Sequence, residues 1–247
     1  MQKLEQFDLT FKAFGQSALL IEWPSRLEEN ILNDILHLQS ALENELIEGV
    51  IETVNAYNSL TVLFNPFKTN VVELQRVVKT LHLKGAIPTT KSDKIWKVPV
   101  CYDSSFGIDL KELSQTKEMS VEELIQLHYQ PTYLVYFIGF LPGFLYLGGL
   151  PKNLYAPRRP SPRVKIDRGA VAIGGMQTGV YPSESPGGWN IIGNSPIDFF
   201  NPKSNPPCFA KAGDRIKFFP VNMEEYKKIR TEVLRGEYKI ELHDSVS

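Results

Sequence analysis

The run TYLVYFIGFLPGFLYLGGLP, Thr132–Pro151, opens with β-branched and aromatic residues and then breaks into short apolar pieces between Gly and Pro. A chain written this way forms strands joined by tight turns, because Gly and Pro interrupt regular structure every few residues. The same punctuation continues downstream: residues 131–220 hold 13 of the 17 prolines and 12 of the 17 glycines. Strands recurring at that spacing favour a closed or nearly closed β-barrel over a parallel sheet.

Upstream, the pattern alternates strands with helices. Phe7–Phe14 and Ala18–Trp23 read as a strand pair around Gly15, and Val50–Ala56 and Ser59–Phe64 as the next two strands. Ser25 with Glu28 has the form of a capping box opening a helix. In that helix Leu27, Ile31, Ile35, Leu38 and Leu42 share one face. Asn70 and Glu73 start a second helix, with Val71, Leu74, Val77, Val78 and Leu81 as its stripe. Such stripes are buried faces. A strand at Ile95–Cys101 would follow this ββαββα order and complete a small α/β sandwich. The polar GAIPTTKSDK, Gly85–Lys94, marks a boundary that divides the chain into 1–88 and 89–247.

The second part begins with helical pieces at Asp109–Thr116 and Ser120–His128, the latter with a Ser120–Glu123 capping box. It closes with a helix from Asn222 and Glu225 to Leu234, capped by Gly236, and a strand at Tyr238–Leu242. The expected fold class is α+β, a small N-terminal α/β sandwich followed by a β-barrel domain.

Composition narrows the function. With 43% hydrophobic and 22% charged residues the chain has the balance of a soluble globular protein. A net charge of −1 argues against a duplex nucleic-acid binder. There is no apolar run of membrane-spanning length and no apolar core of a signal peptide, so a cytoplasmic protein is expected. Cys101 and Cys208 lie far apart and form no CxxC, which points to reduced, packed side chains without structural zinc. The four histidines, His37, His82, His128 and His243, are not at metal-ligand spacing, and no metal site is expected. P-loop, G-x-S-x-G and H-E-x-x-H signatures are absent.

Chemistry is concentrated between Gly139 and Asn194. In GFLPGFLYLGGLP, Gly139–Pro151, the aromatics Phe140, Phe144 and Tyr146 read either as a packed loop or as an apolar wall for a ligand or partner. In APRRPSPRVKIDRG, Ala156–Gly169, five cations (Arg158, Arg159, Arg163, Lys165 and Arg168) are interleaved with Pro157, Pro160 and Pro162. The prolines stiffen the backbone, and rigid guanidinium forks suit carboxylate or phosphate. A solvated charged face is the competing reading. In GGMQTGVYPSESPGGWNIIG, Gly174–Gly193, Gln177 and Tyr181 offer hydrogen bonds, Trp189 a flat face, and Gly187–Gly188 backbone N–H groups that could aim at an anion. The Gly-Gly pair also reads simply as a turn.

These three pieces, in this order, resemble the family of the 5-oxoprolinase B subunit. That family is also called allophanate hydrolase subunit 1 and includes the sporulation-kinase inhibitor KipI. The resemblance covers nearly the whole chain. It implies that the C-terminal barrel is cyclophilin-like. It also implies a partner, the C subunit, and together the two resemble the carboxyltransferase region of urea carboxylase. With the A subunit, such complexes open 5-oxo-L-proline to L-glutamate at the expense of ATP, the B–C pair phosphorylating the lactam oxygen. ATP with Mg²⁺ would thus enter at the level of the complex, and this chain would be inactive alone.

On this resemblance Arg158, Arg159, Arg163, Gln177, Tyr181, Gly187, Gly188 and Trp189 would bind substrate or phosphate in a cleft facing the C subunit. Phe140, Phe144 and Tyr146 would meet a partner. No catalytic acid or base is singled out. The alternative within the family is a regulator of KipI type that docks on a histidine kinase through the same apolar surface. A prolyl isomerase would rest on analogy with cyclophilin alone. The chain departs from the family pattern at Asn194-Ser195, where Arg-Thr is usual, and at Ile166-Asp167-Arg168-Gly169, where Val-Pro-x-Gly is usual. Asp167 and Arg168 are expected to pair with each other on the surface.

Overall fold

A computed structural model of the chain describes residues 7–84 and 94–244. The chain divides into two compact units, Met1–Lys91 and Ser92–Ser247. The boundary expected at 88/89, within Gly85–Lys94, falls in the stretch 85–93, outside the described residues.

The first unit contains β1 (Thr10–Ala13), β2 (Ala18–Glu22), α1 (Glu29–Asn44), β3 (Val50–Asn55), β4 (Ser59–Phe64) and α2 (Val71–Leu83). Its strands form an antiparallel sheet in the order β1-β2-β4-β3. Along β4 every second residue is buried, namely Leu60, Val62 and Phe64, as strand geometry demands of a sheet with one covered face. Ile31, Ile35, Leu38 and Leu42 of α1 and Leu74, Val78 and Leu81 of α2 belong to the same cluster. The Asn70 cap accepts from the Glu73 N–H at 3.0 Å, as its sequence signature predicts. The Ser25 box does not form. The helix starts at Glu29, its N-cap Glu28 makes no side-chain cap bond, and Arg26 pairs instead with Glu28. The turn in which the Arg26 N–H donates to the Pro24 carbonyl occupies the backbone where that box would have formed.

The second unit contains β5 (Lys94–Val100), α3 (Leu110–Thr116), α4 (Val121–Tyr129), β6 (Tyr133–Ile138), β7 (Leu145–Gly148), a 3₁₀ turn at Lys152–Leu154, β8 (Arg163–Ile166), β9 (Ala170–Gly174), β10 (Gln177–Val180), β11 (Ser185–Gly187), β12 (Asn190–Asn194), β13 (Arg215–Pro220), α5 (Met223–Arg235) and β14 (Glu241–Asp244). Eight strands follow the order β12-β9-β10-β7-β6-β13-β5-β14, and β8 and β11 form a separate ribbon. The strand at 94–100 therefore belongs to this sheet rather than completing the first unit's sandwich: it pairs in parallel with β13 and antiparallel with β14. A bridge between Cys101 and Asn194, with N–H···O distances of 2.8 and 2.9 Å, ties the end of β5 to the end of β12. α5 carries a full capping box at Asn222–Glu225 and ends on Gly236 at φ 71°.

The sheet buries two faces around β9 and β12, and this positions the site. Val171, Ile173 and Ile192 enter the main core, while Ala170, Ala172 and Ile191 face a second cluster with Phe144, Ile166, Tyr181 and Trp189. Alternation of period two sends neighbours to opposite sides, so a strand buried on both faces reads as a continuous apolar run. The small side chains of Ala170 and Ala172 leave room for large aromatics above them.

Candidate functional site

That second cluster opens into a cleft of about 230 Å³, lined by Phe140, Phe144, Tyr146, Arg158, Pro162, Tyr181, Pro186, Gly187, Gly188 and Trp189. Residues expected to bind a ligand and residues expected to meet a partner thus share one cavity. Phe144 is the hub, edge-on to Phe140, Tyr181 and Trp189 with centroids 5.7, 5.4 and 5.5 Å away. Edge-to-face contacts of this kind fix ring orientation beyond simple burial. Burial raises the Tyr181 and Tyr146 hydroxyls above their ordinary range, so both stay protonated donors at neutral pH.

Local sequence accounts for the cleft's shape. The loop between β6 and β7 turns tightly through Gly139–Phe144, the Phe144 N–H donating to the Leu141 carbonyl at 3.0 Å. Phe140 sits in this loop at φ 66°, a conformation costly for a bulky residue, and is exposed at the rim. Gly174 is required beneath Trp189, because a Cβ there would lie 2.5 Å from the indole. Gly187 is required beside Tyr181, since a methyl would collide with its hydroxyl. Gly188 carries no such constraint.

The arginine-proline segment has two destinies. Arg159 Nη1 and Arg163 Nη2 both reach Asp109 Oδ1, at 3.1 and 2.6 Å, and Arg159 also meets Glu112 at 3.0 Å. Asp109 is only 2% exposed, and its second oxygen accepts the Ile191 N–H at 2.7 Å. Arg159 and Arg163, expected beside Arg158 in the cleft, are therefore held by α3 and are absent from its lining. Lys165 pairs with Glu184, and Arg168 with Asp198, not with Asp167 as expected. Asp198 is accessible to Arg168 because the Arg168 guanidinium also donates to the Ile197 carbonyl next to it.

Arg158 is the exception. Among the described residues it forms no ion pair, and its guanidinium carbon lies 5.8 Å from the Trp189 ring centroid. Its backbone is pinned on both sides. Asn190 Nδ2 donates to the Pro157 carbonyl at 3.0 Å, and the Arg159 N–H donates to the Gly188 carbonyl at 2.7 Å. Gln177 lies on β10 outside the cleft lining.

Asn194 has a scaffold role. Its Nδ2 donates to the Arg168 carbonyl at 2.9 Å and its Oδ1 accepts from the Tyr226 hydroxyl at 2.8 Å, joining β12 to α5. His128, unremarkable in sequence, is fully buried between the Tyr102 hydroxyl and Thr178 Oγ1, each at 2.8 Å. Thr178 donates onward to the Ala172 carbonyl, so His128 Nε2 must carry the proton given to Thr178 and Nδ1 must accept from Tyr102. Burial pushes its pKa down to about 3, and the ring is neutral. Burial raises the thiols of Cys101 and Cys208. Among the described residues no group of three or more His, Cys, Asp and Glu could hold a metal ion.

Fold and cleft together define a mixed α/β chain whose second unit carries an aromatic cleft beside Arg158, which among the described residues forms no ion pair. The chain belongs to the family of the 5-oxoprolinase B subunit, and the model of the carboxyltransferase domain, subdomain C and D, matches residues 9–210. It is 37% identical over 229 residues to the 5-oxoprolinase B subunit of Bacillus subtilis (strain 168), covering 88% of this chain and 95% of that protein. The solved structure of TTHA0988 is 32% identical with a TM-score of 0.74, over 84% of this chain and 40% of that one. The Kluyveromyces lactis urea amidolyase, 20% identical with a TM-score of 0.82, covers 98% of this chain and shares its fold. The chain spans less than half the length of these two structures, 40% and 16%.

Proposed function

We propose that this chain is the B subunit of an ATP-dependent 5-oxoprolinase, acting with a C subunit to activate 5-oxo-L-proline for ring opening to L-glutamate. The observation that carries the reading is the 37% identity, along almost its full length, to the B subunit of a 5-oxoprolinase. The cleft supports it, since an aromatic recess with one unpaired cation at its side can seat a small ring and orient its polar groups. A lactam needs such orientation, because nitrogen donation into the carbonyl makes it a poor electrophile and attack must be accurately placed. On this reading the chain is inactive alone. A cyclophilin-like closure of the second unit's sheet belongs to the same proposal, and the Cys101–Asn194 bridge supports it.

The residues of this cleft do not fit the phosphates of ATP. An anion-cradling nest needs successive backbone N–H groups in alternating right- and left-handed conformations. Gly187 is instead paired with Arg163 in the β8–β11 ribbon, and neither it nor Gly188 has a positive φ. ATP and its Mg²⁺ are therefore not assigned to this cleft.

Co-expression with the A and C subunits, followed by 5-oxoproline-dependent ATP hydrolysis, tests the proposal. Turnover that needs all three chains is expected. A tight complex with a histidine kinase, and no turnover with the other two chains, would reverse it.

A further inference from the structure

The cleft's charge identifies the anion it can read. Between residues 158 and 168 five cations crowd together, yet Arg159, Arg163, Lys165 and Arg168 each have a carboxylate partner. One positive charge, on Arg158, is left facing the cavity. A triphosphate carries several negative charges and would be left mostly uncompensated there; a carboxylate would be matched by one guanidinium, which it meets as a bidentate pair. The remaining lining is apolar: Phe140 and Tyr146 are the rings open to the cavity, with the edges of the almost wholly buried Phe144, Tyr181 and Trp189 beneath them. About 230 Å³ admits a five- or six-membered ring and falls below the range of drug-sized pockets.

We infer that this cleft is a binding site for a small ring-bearing monocarboxylate, with Arg158 as the residue that recognises the carboxylate and the Phe140 and Tyr146 rings, backed by Trp189, taking the ring. The assignment rests on the proposed function for its physiological ligand, 5-oxo-L-proline, but its chemistry is independent of that choice. Arg158 is preorganised for this role. Pro157 restricts the backbone, the neighbouring hydrogen bonds to Asn190 and Gly188 fix its register, and the Asp109 clamp holds the following arginine away. The strained φ of Phe140 at the rim is the kind of local cost that structures retain at ligand sites.

The test is titration of the full chain, following the Trp189 indole N–H resonance by NMR and assigning it with W189F. The probes are 5-oxo-L-proline, cyclopentanecarboxylate, 2-pyrrolidinone and inorganic phosphate, each to about 50 mM. Both carboxylates are expected to shift the resonance saturably. Pyrrolidinone, the same lactam without the carboxylate, should bind about 10–100-fold more weakly, the usual worth of a charge-assisted hydrogen bond. Phosphate should not displace either acid. R158A should weaken carboxylate binding by a similar factor while leaving pyrrolidinone unchanged, and R158K should recover part of it. No saturable shift with either acid, equal binding of pyrrolidinone, displacement by phosphate, or wild-type affinity in R158A would each overturn the inference. Carboxylate binding without 5-oxoproline turnover in the reconstituted complex would sink the functional reading alone. Turnover with an unchanged KM in R158A would sink the site alone.

Discussion

Arg158 and Arg159 are neighbours in the chain and opposites in the fold. Arg159 is folded onto Asp109 and Glu112, its charge consumed by α3; Arg158 looks into an aromatic cavity and, among the described residues, has no carboxylate paired with it. The Asp109 cluster is a nearly closed device, in which both Asp109 oxygens have donors and Arg159 and Arg163 each reach an acceptor, with Arg163 Nη1 alone buried without one. The cleft is an open one. The contrast teaches that density of arginines does not mark a ligand site; the charge left after internal pairing does.

The largest effect should come from breaking the closed device. Asp109→Ala strands two arginines that are largely packed away and removes the acceptor of the Ile191 N–H, so a loss of roughly 3 kcal/mol or more in urea unfolding is expected. A loss below about 1 kcal/mol would mean that the clamp is dispensable and Arg159 is free to serve the cleft. Next in size is Gly174→Ala, whose methyl must displace the Trp189 indole. Overpacking of this kind costs about 1–3 kcal/mol and should alter the Trp189 NMR signal as well.

A third test uses another closed device, the buried His128 chain. Its folded pKa of about 3 lies below the ordinary value of 6.5, so the unfolded chain binds the proton first as pH falls. The stability from burying the neutral ring is complete above about pH 6.5 and is lost as pH drops towards 3. The slope approaches roughly 1.4 kcal/mol per pH unit. Wild type should show this slope relative to His128→Gln, and its His128 ring signals should stay in their neutral positions at pH 4. A ring that titrates near 6.5 would show the device to be open. The smallest stability effect belongs to Arg158→Ala. An exposed side chain with a cation–π contact should change unfolding by less than about 1 kcal/mol.

Much of the fold could be read from local signals because those signals are local in cause. The caps at Asn70, Ser120 and Asn222 act within three residues, and the stripes of α1 and α2 repeat every turn. The cleft's aromatics and glycines were likewise legible as one composite motif. What escaped depended on distant partners. The Ser25 box is the local exception, lost to a turn at Pro24–Arg26 in the same backbone; the rest lay far along the chain. The allegiance of the strand at 94–100 is decided by β13, not by its own residues. Asp109 carried no signal beyond opening a helix, as its partners lie 50 and 54 positions downstream. His128 looked isolated because Thr178 is 50 residues away.

The parallel pairing of β5 with β13, in which Ile95 lies opposite Arg215, also sets a timetable. A chain emerging from the ribosome exposes the apolar side chains of 98 and 100 long before their neighbours Ile216 and Phe218 exist. Until then one long edge of that sheet has no mate, and the loop that must close is most of the unit. The first unit's strands, each paired with another made within a few dozen residues, face no such wait. Nascent chains halted before β13 should therefore be the stage most prone to capture by chaperones or to aggregation.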